Sequence, residues 1–273
     1  MYYNHEGQHH CIKSLFVLLC CSLLLAGCTK KENTESYAKE VTVTPTPKPA
    51  KASHTVMNYE EYMAAPMNET VIIHAYVQAK EDLLEDEDGN DTVTLYLQDK
   101  DGGYYVYDMP ILEMDYDHLK KGQEMYITGT KTQWEGEIEI IEASSYRIGN
   151  GSWISEPVDI DDICMNEEAL RTHMNQLVSL KDLVVTDIQL PDQEGGDINI
   201  TCTKDDISIP LVIVSALYDE DSDEYTQAEN LLQGHTVDVQ GFLYWYNEKP
   251  QIHIKSFSVH ETEKDVSTDV PQD

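Results

Sequence analysis

Cationic side chains are scarce in this chain. Its 273 residues carry 18 Lys and Arg against 51 Asp and Glu, a formal net charge of −33. A body this acidic repels phosphate backbones and anionic head groups, so a polyanionic partner is disfavoured from composition. Catalytic signatures are missing as well. No GxSxG elbow, P-loop or GxGxxG loop occurs, and residues 29–273 hold no HExxH pair. No CxxC pair occurs, so a cysteine zinc site has no ligands. The histidines outside the N-terminal region are scattered, and acidic pairs are too plentiful to single out a general acid and base. The sequence points to a non-enzyme and calls for no cofactor and no metal.

Long apolar runs are absent too, with one exception at residues 14–28. That run falls short of the roughly 20 residues of a spanning helix and fits the hydrophobic region of a secretory signal. It ends in Leu25, Ala26, Gly27 and Cys28. This ending resembles the lipobox of bacterial lipoproteins. The resemblance implies a signal peptide at 1–27, removed on processing, and a lipidated (palmitate-bearing) Cys28 that tethers the chain to the outer face of the cell membrane. Cys11, Cys20 and Cys21 would leave with the signal. Cys164 and Cys202 would remain, either bridged or as free thiols.

Residues 28–56 lack apolar periodicity and centre on Pro45, Pro47 and Pro49. Such a Pro/Thr/Lys-rich stretch favours extended geometry and reads as a linker. It carries five Lys and three Glu, whereas residues 57–273 carry 12 Lys and Arg against 47 acids. The tail at 263–273 is polar and reads as disordered.

Between linker and tail the pattern alternates with period two. In the first unit, 57–150, a short helix at 58–65 with Asn58 as cap precedes strands at 69–78, 92–98 and 104–107. A brief helix at 115–121 and strands at 123–130 and 137–147 follow. In the second, 165–262, a helix at 167–174 leads to strands at 178–190, 197–203 and 207–214. A capping pattern at Thr226 opens a helical turn, and strands at 235–244 and 251–260 end the unit. The glycines at 149 and 151 read as a linker turn between the units. Three anchors recur in the same order: Met67-Asn68 with Met174-Asn175, Gly122 and Gly129 with Gly234 and Gly241, and Trp134 with Tyr246. Duplication is the reading.

Three strands, a helix and two strands is the layout of the OB-fold. The expectation is therefore an all-β chain with small α content: two tandem five-stranded OB-like Greek-key barrels behind a lipoprotein signal and a disordered stalk. The whole resembles the OB-like surface lipoproteins of Gram-positive bacteria. OB-folds present ligands on strands two and three and on the first-second and fourth-fifth loops. Here these offer Tyr96, Tyr105 and Tyr107 with Trp134, and Tyr244, Trp245 and Tyr246 in the second unit. The first-second loop carries Glu81, Asp82, Glu85, Asp86, Glu87, Asp88 and Asp91, and the fourth-fifth loop offers Lys131 as its cation. Seven acids beside the ligand path argue against nucleic acid. The expected role is a binding module for a protein or a cell-envelope polysaccharide. Single-stranded nucleic acid is the alternative, and weak calcium binding by the acidic stretches at 86–91 and 219–224 a further one.

Overall fold

The computed structural model describes residues 55–193, 195–218 and 222–260. The signal, Cys28, the linker as far as residue 54, the tail and residues 219–221 of the second acidic stretch lie outside the described residues. No helix among the described residues is long and apolar enough to cross a membrane.

The first barrel opens with α1 (Tyr59–Ala64), set by a capping box in which Asn58 and Glu61 each accept from the other's backbone N–H at 2.9 Å. Its strands are β1 (Thr70–Lys80), β3 (Asp91–Gln98), β4 (Gly103–Pro110), β5 (Gln123–Trp134) and β6 (Glu137–Ser152). A two-residue strand, β2 (Leu84–Glu85), pairs with β3 and shortens the expected acidic loop. α2 (Glu113–His118) sits between the third and fourth barrel strands. β1 pairs with both β3 and β5, and β4 pairs in parallel with β6, so the sheet closes on itself. Val71, Ile73, Ala75 and Val77 alternate inward along β1 and are fully buried.

The second barrel repeats this. A short β7 (Val158–Asp159) and α3 (Glu167–Arg171) precede β8 (Leu177–Gln189), β9 (Ile198–Lys204) and β10 (Ile207–Ile213). Then come α4 (Asp223–Glu229), β11 (Thr236–Tyr246) and β12 (Lys249–His260). β11 pairs with β8 and β12, and β10 runs parallel to β12. Two closed five-stranded barrels in tandem are thus established by the strand pairing alone, as the OB layout requires.

The repeated residues are those that the backbone needs. Asn68 and Asn175 hold φ of 64° and 63°, and Gly122 and Gly234 hold 84° and 90°. These are left-handed positions that Asn and Gly tolerate best. Gly129 and Gly241 lie at bulges of the fourth strands, where a Cβ would meet Ile140 Cγ2 at 2.5 Å and His253 O at 2.3 Å.

Two local readings are corrected, and one that the sequence left open is decided. Residues 149–152 are not a linker turn but the end of β6, since the Gln123–Ser152 pairing carries the strand that far. α4 opens at Ser222, whose hydroxyl caps Tyr225 N, and not at Thr226. Cys164 and Cys202 are both free thiols.

The barrels pack on one another. Tyr96 and Tyr105 from β3 and β4 meet Phe242 and Tyr244 from β11, with ring centroids 4.6 Å (Tyr96–Phe242) and 5.2 Å (Tyr105–Tyr244) apart. Leu177 completes this buried cluster. Hydrogen bonds stitch its edges: Asp82 N to Ala216 O, Leu177 N to Gln98 Oε1, and Asn175 Nδ2 to Glu137 Oε1 at 2.8, 2.9 and 2.7 Å. The equivalent hairpin turns touch, with Glu248 N donating to Glu135 O and the Trp134 and Tyr246 rings 5.7 Å apart. Close backbone approach is part of the seam, because a Cβ on Gly103 would lie 2.2 Å from the Asn175 carbonyl.

Candidate functional site

The seam decides where the expected ligand residues go. Tyr96, Tyr105 and Tyr244 are at most 4 % exposed, and Trp245 sits in the core of the second barrel. Tyr107 and Tyr246 pack half-buried against the same cluster, and Trp134 is half-buried at the touching turns. None of the four buried rings can stack a base or a sugar without opening the seam. The first barrel's second and third strands, the usual OB ligand face, are covered by the second barrel. A polar thread runs through this contact. Tyr96 OH lies 3.1 Å from Glu81 Oε1 and 2.8 Å from His253 Nδ1, and the His253 ring stacks on Tyr244 at 4.3 Å. Burial pushes the Glu81 carboxyl up to about 7.

Lys131 is also withdrawn from solvent. Its Nζ donates to the carbonyl oxygens of Tyr62, Met63 and Ala65 at 2.8–2.9 Å. It closes the C-terminal end of α1 rather than reaching a ligand.

An open aromatic surface lies elsewhere, on the outer face of β1, β5 and β6. The register places His74, Tyr126 and Arg147 side by side across the three strands. The His74 and Tyr126 rings stack at 4.4 Å, and the Arg147 guanidinium lies 3.7 Å above the Tyr126 ring. Tyr76, two residues along β1, is 5.4 Å from His74, and Trp153 just beyond β6 is 5.8 Å from Tyr76. All four rings are half-exposed and Arg147 is exposed. Together they form a row: Arg147, Tyr126, His74, Tyr76, Trp153.

Glu124, opposite Tyr76 and two residues before Tyr126 on β5, fixes the row from within the same face. Its carboxylate meets His74 Nε2 at 2.8 Å and accepts from Tyr126 OH at 3.1 Å and from Gly151 N at 2.8 Å. The Gly151 amide, then the His74 contact, hold this carboxyl below its ordinary range. A Cβ on Gly149 would lie 2.1 Å from Glu124 Oε2. The glycines at 149 and 151 therefore make room for the carboxylate that orients the rings. Sequence reading followed the inward face of β1 and passed over these residues. Their signal was present, because His74, Tyr76 and Tyr126 occupy the alternate positions between core residues.

At Trp153 the row reaches a groove of about 290 Å³ at the seam, lined among others by Gln98, Asp99, Lys100 and Gln176. The calcium expectation finds little purchase at 86–91, where Asp86 Oδ1 already accepts from the backbone N–H groups of Asp88 and Asn90 at 2.9 and 2.8 Å. Among the described residues one group has metal-ligand geometry: Asp182, Asp238 and His260, with donor atoms within 4.8 Å of one another. His260 Nε2 lies 3.1 Å from Asp238 Oδ1 there.

No protein-family description matches the chain, and no curated protein does. Among solved structures, a murine DNA-binding protein bound to double-stranded DNA is similar at 11 % identity and TM-score 0.31, over 71 % of this chain and 97 % of that one. A domain of replication protein A from Methanococcus maripaludis is similar at 19 % identity and TM-score 0.28, over 36 % and 100 %. The single-stranded DNA binding protein from Thermus aquaticus is similar at 14 % identity and TM-score 0.25, over 71 % and 95 %. These values add nothing to the fold that the strand pairing establishes by itself. The expectation of a protein or polysaccharide module with nucleic acid disfavoured is corrected on both counts. The neighbours found include DNA-binding proteins. The acidic loop, moreover, borders a face that the second barrel closes, while the open row carries Arg147.

Proposed function

We propose that this chain is a non-catalytic OB pair that binds single-stranded nucleic acid, held at the outer face of a cell membrane by lipid on Cys28. The observation that carries the binding reading is the ring row on β1, β5 and β6. The half-exposed rings of His74, Tyr76 and Trp153 offer platforms for unpaired bases, and Tyr126, stacked between His74 and Arg147, holds one end of the row in place. Base–aromatic stacking contributes about 1–3 kcal/mol per base and needs no charge neutralisation. A few such platforms reach the ~8 kcal/mol of a micromolar complex, less the repulsion from an acidic chain. Single strands are favoured over duplex, whose base faces are already stacked.

Fluorescence anisotropy with labelled oligo(dT) of about twelve nucleotides tests this. Tyr126→Ala removes the ring that seats both His74 and Arg147, and should weaken binding roughly 5- to 100-fold. Salt dependence should be shallow. With one phosphate met by Arg147 the single-strand slope is near −0.7, about threefold between roughly 50 and 200 mM salt. No saturation at any salt, or a slope several times steeper, counts against stacking along this row.

The anchor has its own test. The full chain should fractionate with membranes and take up labelled palmitate in a lipoprotein-processing host, and Cys28→Ser should do neither. Membrane fractionation unchanged in that variant would remove the lipid reading.

A further inference from the structure

The groove beyond Trp153 contains two glutamines that are more than nine-tenths buried, Gln98 and Gln176. Gln98 is oriented without ambiguity. Leu177 N–H donates to its Oε1 at 2.9 Å, and an N–H can be accepted only by the oxygen of the amide. Its NH2 group is therefore turned away from that bond, and no described residue accepts a hydrogen bond from it. Gln176 has its Oε1 3.1 Å from His173 Nδ1, and its NH2 has no acceptor among the described residues. Neither amide nitrogen is sealed from solvent, so in a groove that both residues line the two NH2 groups remain available as donors to a ligand. Trp153 lines the same groove.

We propose that this groove receives a single keto-bearing nucleobase, thymine or uracil, at the end of the strand that the ring row binds. The inference rests on the ring-row reading of function. Three features select the ligand. The ring of Trp153 suits a planar group. The glutamine NH2 groups are donors, so they match the keto oxygens that thymine and uracil carry, whereas adenine offers an amino donor at the corresponding edge. Asp99 and Glu156 also line the groove, and its one cation, Lys100, is paired with Asp101, so the net charge opposes a phosphate inside it and the base enters with the backbone outside. A volume of about 290 Å³ lies at the lower limit for ligand pockets, which suits one base rather than several.

The test compares oligo(dT), oligo(dA) and oligo(dT) with abasic ends, using native protein, Gln98→Glu and Tyr126→Ala. Gln98→Glu keeps an oxygen for Leu177 N–H and replaces the NH2 donor by an acceptor. The native protein should bind oligo(dT) at least tenfold more tightly than oligo(dA), and abasic ends should erase most of that margin. Gln98→Glu should abolish the preference; the carboxylate it buries lowers its melting temperature, so binding is read well below that temperature. If that variant is unfolded at the assay temperature, Gln176→Glu, which keeps the contact to His173, replaces it.

Equal affinity for the two strands, or an unchanged preference in both glutamine variants, overturns the groove while a loss in Tyr126→Ala leaves the ring row standing. Loss of oligo(dT) in the glutamine variants with none in Tyr126→Ala supports the groove and removes the row. No binding of any strand overturns both.

Discussion

The folded region should become more stable as pH falls from about 8 to about 5, the reverse of ordinary acid destabilisation. Glu137 and Glu139 are both fully buried on β6. Burial pushes each carboxyl up to about 8. For Glu137 the hydrogen bonds from Trp245 N at 2.9 Å and Asn175 Nδ2 at 2.7 Å pull the other way and do not offset it. In the unfolded chain these groups titrate near 4.3. Between those values the folded state holds protons that the unfolded state has released, so the stability slope with pH is negative. The contribution is complete below about 4.3 and is lost as pH rises through about 8. Each carboxyl changes stability by up to about 1.4 kcal/mol per pH unit in that window.

The net charge of −33 acts in the same direction, because protonation relieves repulsion. Glu139→Gln separates the two causes. It removes one of 51 acids, which barely alters the overall field, but it abolishes the buried ionisation. At pH 8 this variant should gain roughly 2–4 kcal/mol, and its stability should vary less between pH 6 and 8. Urea unfolding at both pH values measures it. A variant no more stable than native at pH 8 would show that Glu139 reaches water or a partner when ionised. The functional consequence is that alkaline media should loosen the seam first. Glu137 joins the barrels through Asn175 and Trp245, and Tyr96, Tyr105 and Tyr244 are packed alongside.

Lys131→Met should cost about 2–4 kcal/mol, because three carbonyls lose a charged donor and stay buried. Methionine nearly fills the volume, so the loss is polar and not a cavity. The Nζ also lies 5.2 Å from the Tyr62 ring, a weaker contact that goes with it. Burial lowers the Lys131 ammonium below its usual range. Urea unfolding with an unchanged m-value should show the shift, and amides of α1 should exchange faster than those of β1. A cost below about 0.5 kcal/mol would mean that water replaces the ammonium at the helix end. Oligo(dT) affinity should be unaffected, since Lys131 faces the helix and not the ring row.

Much of the fold was legible in residues 57–262 because its determinants are local. Alternation along β1 and β5 follows from the two-residue period of a strand. Asn58 and Glu61 cap α1 within three residues. Asn68, Asn175, Gly122 and Gly234 mark left-handed turns that few other residues tolerate, which is why the duplication shows at those positions. Strand ends were read short where pairing ran past the alternation, as at β6, which continues to Ser152.

The site was less legible because it depends on which strands become neighbours. His74, Tyr126 and Arg147 are separated by up to 73 residues and meet only through the β1–β5–β6 register. Lys131 looked like a loop cation until β5 ran on to Trp134 and carried its side chain under α1. Tyr96, Tyr105 and Tyr244 looked like a ligand face, since the period of a strand sends them outward. Outward from one barrel proved to be inward for the pair. By itself the sequence determined two OB barrels and an acidic body. The tertiary structure alone decided which aromatic residues meet solvent, because the burial of an outward side chain is set by what packs on that face and not by its place along the chain.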